Sequence, residues 1–128
     1  MRIVAFCCGL FAFMLSCLIV HAQVLKSPPE AAPIIAILAA VNGSDVAEFK
    51  NAYARRIRDD KVQGDWGGNL KQAQANMQKL FGNYQLNKFS YTFVGNREIG
   101  KVTLTYNGKE AFSLNVIKER GKWKVDQR

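Results

Sequence analysis

The feature of this chain that most limits how it can fold is a change in the spacing of its apolar residues near Gly82-Asn83. Before this point apolar side chains recur at helical spacing, whereas after it they alternate with polar side chains, as along half-buried strands. A helical half followed by a stranded half, within 128 residues, predicts an α+β domain. The N-terminal helices are then expected to pack on the concave face of a curved antiparallel β-meander.

The stranded half contains four stretches of this alternation. The positions predicted to face inward are Phe89, Tyr91, Phe93, Val102, Leu104, Tyr106, Phe112, Leu114, Val116, Trp123 and Val125. Gly95-Asn96, Asn107-Gly108 and Arg120-Gly121 separate the stretches, and an Asn-Gly pair favours a two-residue hairpin because both residues must take positive φ. Val116-Ile117 breaks the alternation, which predicts either a bulge or a position where both faces of the sheet are covered.

Three helices are predicted in the first half of the chain. The first, over 33–41, is apolar or alanine on every side, so it is predicted to lie in the core or beneath a partner. Asp45 and Glu48 form a capping box that begins the second helix, and Gly82-Asn83 ends the third. The predicted inward positions are Val46, Phe49, Tyr53 and Ile57 in the second helix, and Leu70, Ala73, Met77, Leu80 and Phe81 in the third.

The N-terminus has the order of residues found in an export signal. Met1 and Arg2 precede the uncharged segment 3–20, and Val20-His21-Ala22 is typical of a signal peptidase site. We therefore predict a signal peptide over 1–22, a short proline-containing tether over 23–32, a folded domain over 33–128, and a periplasmic or secreted location after cleavage near Ala22. A retained membrane anchor and lipidation at Cys17 are the alternatives.

Cleavage at this point changes the chemistry that the chain can perform. It removes all three cysteines, Cys7, Cys8 and Cys17, together with the single histidine, His21. The mature chain then has no thiol nucleophile, no Cys/His zinc ligands and no imidazole for acid-base catalysis at neutral pH. We predict no metal site and no cofactor.

The chain is basic, with a formal net charge of +8 at pH 7. Arg55, Arg56, Arg58 and Lys61 are candidates for contact with an anionic surface. A second group of cations follows at Lys118, Arg120, Lys122, Lys124 and Arg128. The alternative is a solvated face, because acidic residues are interleaved with both groups. Nucleic acid is disfavoured as a partner, since the aromatic residues that would stack on bases are predicted to face away from the basic side of the sheet.

Three segments resemble the nuclear-transport-factor-2-like superfamily, which has a cone-shaped, cystatin-like fold. They are 37–45, which joins two N-terminal helices, the long third helix, and the closing hairpin over 116–125. The resemblance covers roughly 33–128 and implies a small exported domain of unknown function. The chain departs from the family in lacking an evident strand between the second and third helices, unless 61–66 forms a short one.

In catalytic members of that superfamily, the resemblance implies acid or base groups that project into the cone. The inward strand positions of this chain include no Asp, Glu or Lys, which leaves only carboxylates on helices or loops. These are Asp45, Glu48, Asp59, Asp60 and Asp65. Each of them has a simpler interpretation as a helix cap or a solvated loop charge.

Six aromatic residues are candidates to line a pocket for a small apolar ligand: Tyr53, Trp66, Tyr91, Phe93, Tyr106 and Trp123. The alternative is that they fill the core. The sequence thus predicts a non-enzymatic exported domain that binds a small apolar ligand or a protein partner, with a homodimer through the sheet as one arrangement. The alternative function is a small hydrolase or isomerase that uses a helix or loop carboxylate with pocket tyrosines.

Overall fold

The computed structural model describes residues 27–128. The predicted signal over 1–22, its cleavage site at Ala22, the lipidation candidate Cys17 and the first part of the tether lie outside the described residues. Regular structure begins with a 3₁₀ turn at Pro29–Ala31, earlier than the predicted start at 33. Ala31 is fully buried, so this end of the predicted tether is packed on the domain.

The described chain consists of four helices followed by four strands, with short 3₁₀ turns between some of them. The helices are α1 (Ala32–Gly43), α2 (Val46–Asn51), α3 (Arg55–Arg58) and α4 (Trp66–Phe81). The strands are β1 (Phe89–Gly95), β2 (Ile99–Tyr106), β3 (Lys109–Glu119) and β4 (Lys122–Val125). The predicted α+β class, with helices on one face of a curved antiparallel sheet, is confirmed.

The sheet is a meander with the order β1-β2-β3-β4 and antiparallel pairing throughout. Two of the predicted hairpin turns have positive φ at both central residues, with 53° and 82° at Asn107 and Gly108, and 49° and 79° at Arg120 and Gly121. These angles match the twist of the flanking strands, which explains the tight connections.

The bulge lies elsewhere than the sequence suggested. Pairing continues without interruption at Val116 and Ile117, whereas the register between β2 and β3 shifts near the start of β3. There Leu104 is opposite Phe112 and Thr105 is opposite Glu110, so Ala111 is the extra residue. The alternation fails at Val116-Ile117 because Ile117 is half-buried on the outer face of the sheet.

The second predicted helix is wrong in its extent. It ends at Asn51, and the next residues form a single parallel bridge to β4 between Tyr53 and Val125. The Ala54 amide donates to the Val125 carbonyl at 2.8 Å, and the Val125 amide donates to the Ala52 carbonyl at 2.9 Å. These bonds to the sheet replace the helical ones, so a short extended segment separates α2 from α3. The segment 61–66, where a short strand was the alternative, contains a 3₁₀ turn instead.

All eleven inward strand positions predicted from the alternation lie in the core or pack against it. Helix α1 contributes a buried face that includes Ile34, Leu38 and Val41, but Ile35 is 39% exposed. Within the domain, helix α1 is therefore buried on one side only, whereas the prediction that it lies in the core required it to be covered on every side. Val46 and Leu80 are also exposed, at 40% and 65%, although helical spacing predicted both to face inward.

Candidate functional site

The six aromatic candidates do not converge on one pocket; they fall into separate groups. Tyr53 and Trp66 pack together at 5.1 Å between ring centroids, and both contact Phe49. Phe93 packs edge-on against Trp123 at 5.5 Å. Tyr106 belongs to a third group with Phe81 and Phe89, at 5.0 and 4.8 Å, while Tyr91 is half-buried beside the core. These rings mainly pack the interior of the domain.

An open cavity with a mainly apolar wall lies between α1, α2, α4 and β3. We call it the apolar cleft, and it has a volume of about 240 Å³. Its lining residues are Ile34, Ile37, Leu38, Val41, Phe49, Tyr53, Ala73, Asn76, Met77, Leu80, Phe112 and Leu114. Of the six aromatic candidates only Tyr53 is among them, and the exposed Leu80 lies on its rim. The sequence therefore identified one lining aromatic residue and missed the aliphatic ones that form most of the wall.

Only two lining residues of the apolar cleft, Tyr53 and Asn76, carry polar side-chain groups. Burial raises the pKa of the Tyr53 hydroxyl above its ordinary value, because a phenolate would lose hydration there. The hydroxyl therefore stays neutral well above pH 7. A neutral hydroxyl and an exposed amide beside an aliphatic wall suit an uncharged, mostly apolar ligand.

The candidate catalytic carboxylates all lie away from the apolar cleft. Asp45 accepts a hydrogen bond from the Glu48 amide at 3.1 Å, which caps α2, and Asp65 accepts from the Gly67 and Gly68 amides at 3.0 and 3.2 Å, which caps α4. Both are N-caps, as the simpler interpretation predicted.

The two remaining aspartates form ion pairs with arginines. Asp59 pairs with Arg55 at 3.3 Å one helical turn away. Asp60 accepts from the Val62 amide at 2.9 Å and pairs with Arg128. Neither they nor the exposed Glu48 lines the cleft, and among residues 27–128 no charged side chain is buried.

The candidate anionic-surface residues are divided by the fold. Arg55 and Arg58 lie in an open groove of about 760 Å³, which we call the cationic groove. Its full lining is Asn51, Arg55, Arg58, Glu119, Arg120, Lys122 and Lys124. Arg56 instead pairs with Asp126, and Lys61 is exposed in a 3₁₀ turn outside the groove.

Backbone contacts hold several side chains of the cationic groove in place. Arg58 donates to the Tyr53 carbonyl at 3.0 Å, and the Lys124 ammonium donates to the Asn51 carbonyl at 2.6 Å. The Glu119 carboxylate accepts from the Arg55 amide at 3.0 Å. These contacts connect the start of α3 to the hairpin between β3 and β4.

The pKa of Lys124 reflects this crowding. Partial burial lowers the pKa of its ammonium below the ordinary value, and the nearby charges of Arg58 and Lys122 lower it further. The groove thus concentrates positive charge at one place. The sequence showed both basic segments but gave no signal that the parallel bridge at Tyr53 would bring them together.

No group of three or more His, Cys, Asp or Glu side chains within 27–128 is arranged to hold a metal ion. None of the helices in the same range combines the length and apolarity that crossing a bilayer requires.

The chain was also compared with protein-family models, curated proteins and solved structures, and no match was found in any of the three.

Proposed function

We propose that this protein is an exported, non-enzymatic domain of the nuclear-transport-factor-2-like type that binds a small apolar ligand in the apolar cleft. The observation that carries the proposal is the composition of the cleft wall, in which Tyr53 and Asn76 are the only residues with polar side-chain groups. Apolar walls with a few polar groups are typical of small-molecule sites.

The size of the cleft limits the ligand class. Its volume of about 240 Å³ exceeds the roughly 150 Å³ of an engineered cavity that binds benzene. It falls just below the ~300 Å³ lower end of ordinary ligand sites. A ligand of one or two rings, or a short branched hydrocarbon chain, fits this range.

The placement of the carboxylates supports binding over catalysis. Asp45 and Asp65 accept backbone hydrogen bonds at helix N-termini, and Asp59 and Asp60 pair with arginines. A hydrolase or isomerase on this scaffold needs an ionisable group that faces the ligand. The hydrolase alternative therefore has no observation in its favour among residues 27–128.

The parallel bridge between Tyr53 and Val125 supports the superfamily assignment. It supplies an extended segment between α2 and α4, where the family has a strand and the sequence showed none. Binding of a protein partner and formation of a homodimer through the sheet stay predictions.

A cleft-filling variant tests the proposal. Ala73 lines the apolar cleft and Ala75 is exposed on the same helix, so Ala73→Leu fills the cleft and Ala75→Leu is its matched control. Titration with an uncharged, environment-sensitive dye should give saturable fluorescence with the wild type and the control. Ala73→Leu should weaken binding by at least about tenfold, the equivalent of about 1.4 kcal/mol.

Native mass spectrometry of the protein recovered after export complements this titration by revealing a ligand that purifies with it. Circular dichroism melting establishes that both variants are folded. A wild type without saturable dye binding, or equal affinity of Ala73→Leu and Ala75→Leu, would refute the apolar cleft as a binding site.

A further inference from the structure

The cationic groove is built from two segments that are far apart in the chain. Arg55 and Arg58 come from α3, whereas Arg120, Lys122 and Lys124 come from the hairpin between β3 and β4. Arg55 and Glu119 are 64 positions apart in the chain, yet the Arg55 amide donates to the Glu119 carboxylate. The tertiary fold, not local sequence, therefore creates this concentration of charge.

Two cations of the groove, Arg58 and Lys124, differ from Arg55, Arg56 and Arg128 in how they are paired. Arg56 and Arg128 each form a salt bridge with an aspartate, and Arg55 pairs with Asp59. Within residues 27–128, Arg58 and Lys124 have no carboxylate partner within salt-bridge distance and instead donate to backbone carbonyls. A carbonyl fixes the direction of a cationic side chain without cancelling its charge.

This arrangement leaves the groove short of negative charge. Five cationic side chains line it, and one of them, Arg55, pairs with Asp59 outside the lining. Glu119 is the one carboxylate of the lining, and it is already hydrogen-bonded to the Arg55 amide. Partial burial is the main cause of the lowered pKa of Lys124; the charges of Arg58 and Lys122 lower it further, and Glu119 opposes them. An incoming anion would relieve the repulsion and offset the loss of hydration.

We propose that the cationic groove binds a phosphate group, with Arg58, Lys122 and Lys124 as its principal ligands. A guanidinium presents paired N–H donors that match two oxygens of one phosphate, and an ammonium acts on the same group as a point charge. Because Arg58 and Lys124 are already oriented by the Tyr53 and Asn51 carbonyls, little side-chain order has to be gained on binding.

This site is independent of the proposed function. The apolar cleft and the cationic groove share no lining residue, so either can fail its test without affecting the other. The phosphate can be a free ion, a soluble monoester or the headgroup of a lipid. The chemistry at the protein is the same in each case.

The test is titration of the purified protein with inorganic phosphate at constant ionic strength, monitored by NMR shifts of backbone amides and by calorimetry. Saturable binding is expected, with the largest shifts at Arg58, Lys122 and Lys124. Lys124→Gln should weaken it by about tenfold or more, because a charge-assisted hydrogen bond and a full charge are lost. Lys122→Gln, which changes an exposed side chain, provides a second variant that leaves the packed part of the groove intact.

Lys109→Gln is the matched control for net charge. Lys109 is exposed at the opposite end of β3 from Glu119, about 30 Å along the strand. Glycerol 3-phosphate and vesicles with or without phosphatidic acid distinguish a soluble ligand from a headgroup. Absence of saturable phosphate binding, or equal weakening by Lys109→Gln and Lys124→Gln, would overturn the proposal.

Discussion

The Gly95 and Gly100 pair at the end of the first hairpin gives a sharp test of how this sheet is packed. The two glycines are opposite each other in β1 and β2, and the Phe93 ring lies across them. A Cβ at Gly100 would overlap one ring carbon of Phe93 and would lie 2.5 Å from a second ring carbon and 2.6 Å from the Val94 carbonyl oxygen. We therefore expect Gly100→Ala to destabilise the domain.

The size of this destabilisation depends on which groups must move to make room for the new Cβ. The Phe93 ring can swing aside, but it would then lose its edge-on contact with Trp123 at 5.5 Å, which is the kind of contact worth about 0.5–1.5 kcal/mol. The Val94 carbonyl belongs to the β1–β2 pairing and moves only with the backbone, so strain of about 1–3 kcal/mol is added. The free energy of unfolding should fall by about 2–4 kcal/mol.

Chemical denaturation measures this loss, and Gly43→Ala is the matched control. No atom lies within 4 Å of a Cβ built at Gly43, so its substitution should leave stability unchanged or raise it by a few tenths of a kcal/mol. In a Phe93→Ala background, Gly100→Ala should cost less, because the ring part of the clash is gone. Equal stability of Gly100→Ala and Gly43→Ala would refute this account of the packing.

Two further outcomes are expected. Asp65→Ala removes the side chain that accepts from the Gly67 and Gly68 amides, so the free energy of unfolding should fall by about 1 kcal/mol. The control Asp59→Ala removes an exposed ion pair and should change the free energy of unfolding by less than about 0.5 kcal/mol. Denaturation curves that show the same loss of stability for both variants would contradict the capping role of Asp65. Burial raises the pKa of Tyr53 in the folded protein above 10.0, so the unfolded chain releases the phenolic proton more readily than the folded one. The free energy of unfolding should therefore fall as the pH rises above the ordinary tyrosine pKa and through the raised pKa of the folded protein. Denaturation at stepwise alkaline pH should show a smaller fall for Tyr53→Phe, and an unchanged pH dependence would contradict it.

The sequence was most informative where local patterns and tertiary packing agree. All eleven strand positions that the alternation predicted to face inward lie in the core or pack against it, because a strand side chain must face one side of the sheet or the other. Helical spacing was less informative at Leu80, which shares a stripe with Met77 but lies on the open rim of the apolar cleft. Periodicity describes the side of a helix and not how far the neighbouring elements extend over it.

The main errors arose from contacts between distant residues. The apolar spacing of Phe49, Tyr53 and Ile57 is compatible with one continuous helix, and nothing nearby in the sequence reveals that Val125 will pair with this segment. That same pairing brings Arg58 close to Lys124. The six aromatic residues were predicted to line one pocket because they are of the same type. In the fold they belong to separate groups of packed rings.

The hydrogen bonds between 52–54 and Val125 also determine when folding can be completed. The segment that ends α2 has its partner in the last strand of the sheet, more than half the described chain later. A contact of such long sequence separation forms late, because a large loop must close first. During synthesis the helical half therefore emerges before its partner strand exists, so the chain remains without its final tertiary structure until β4 has been made.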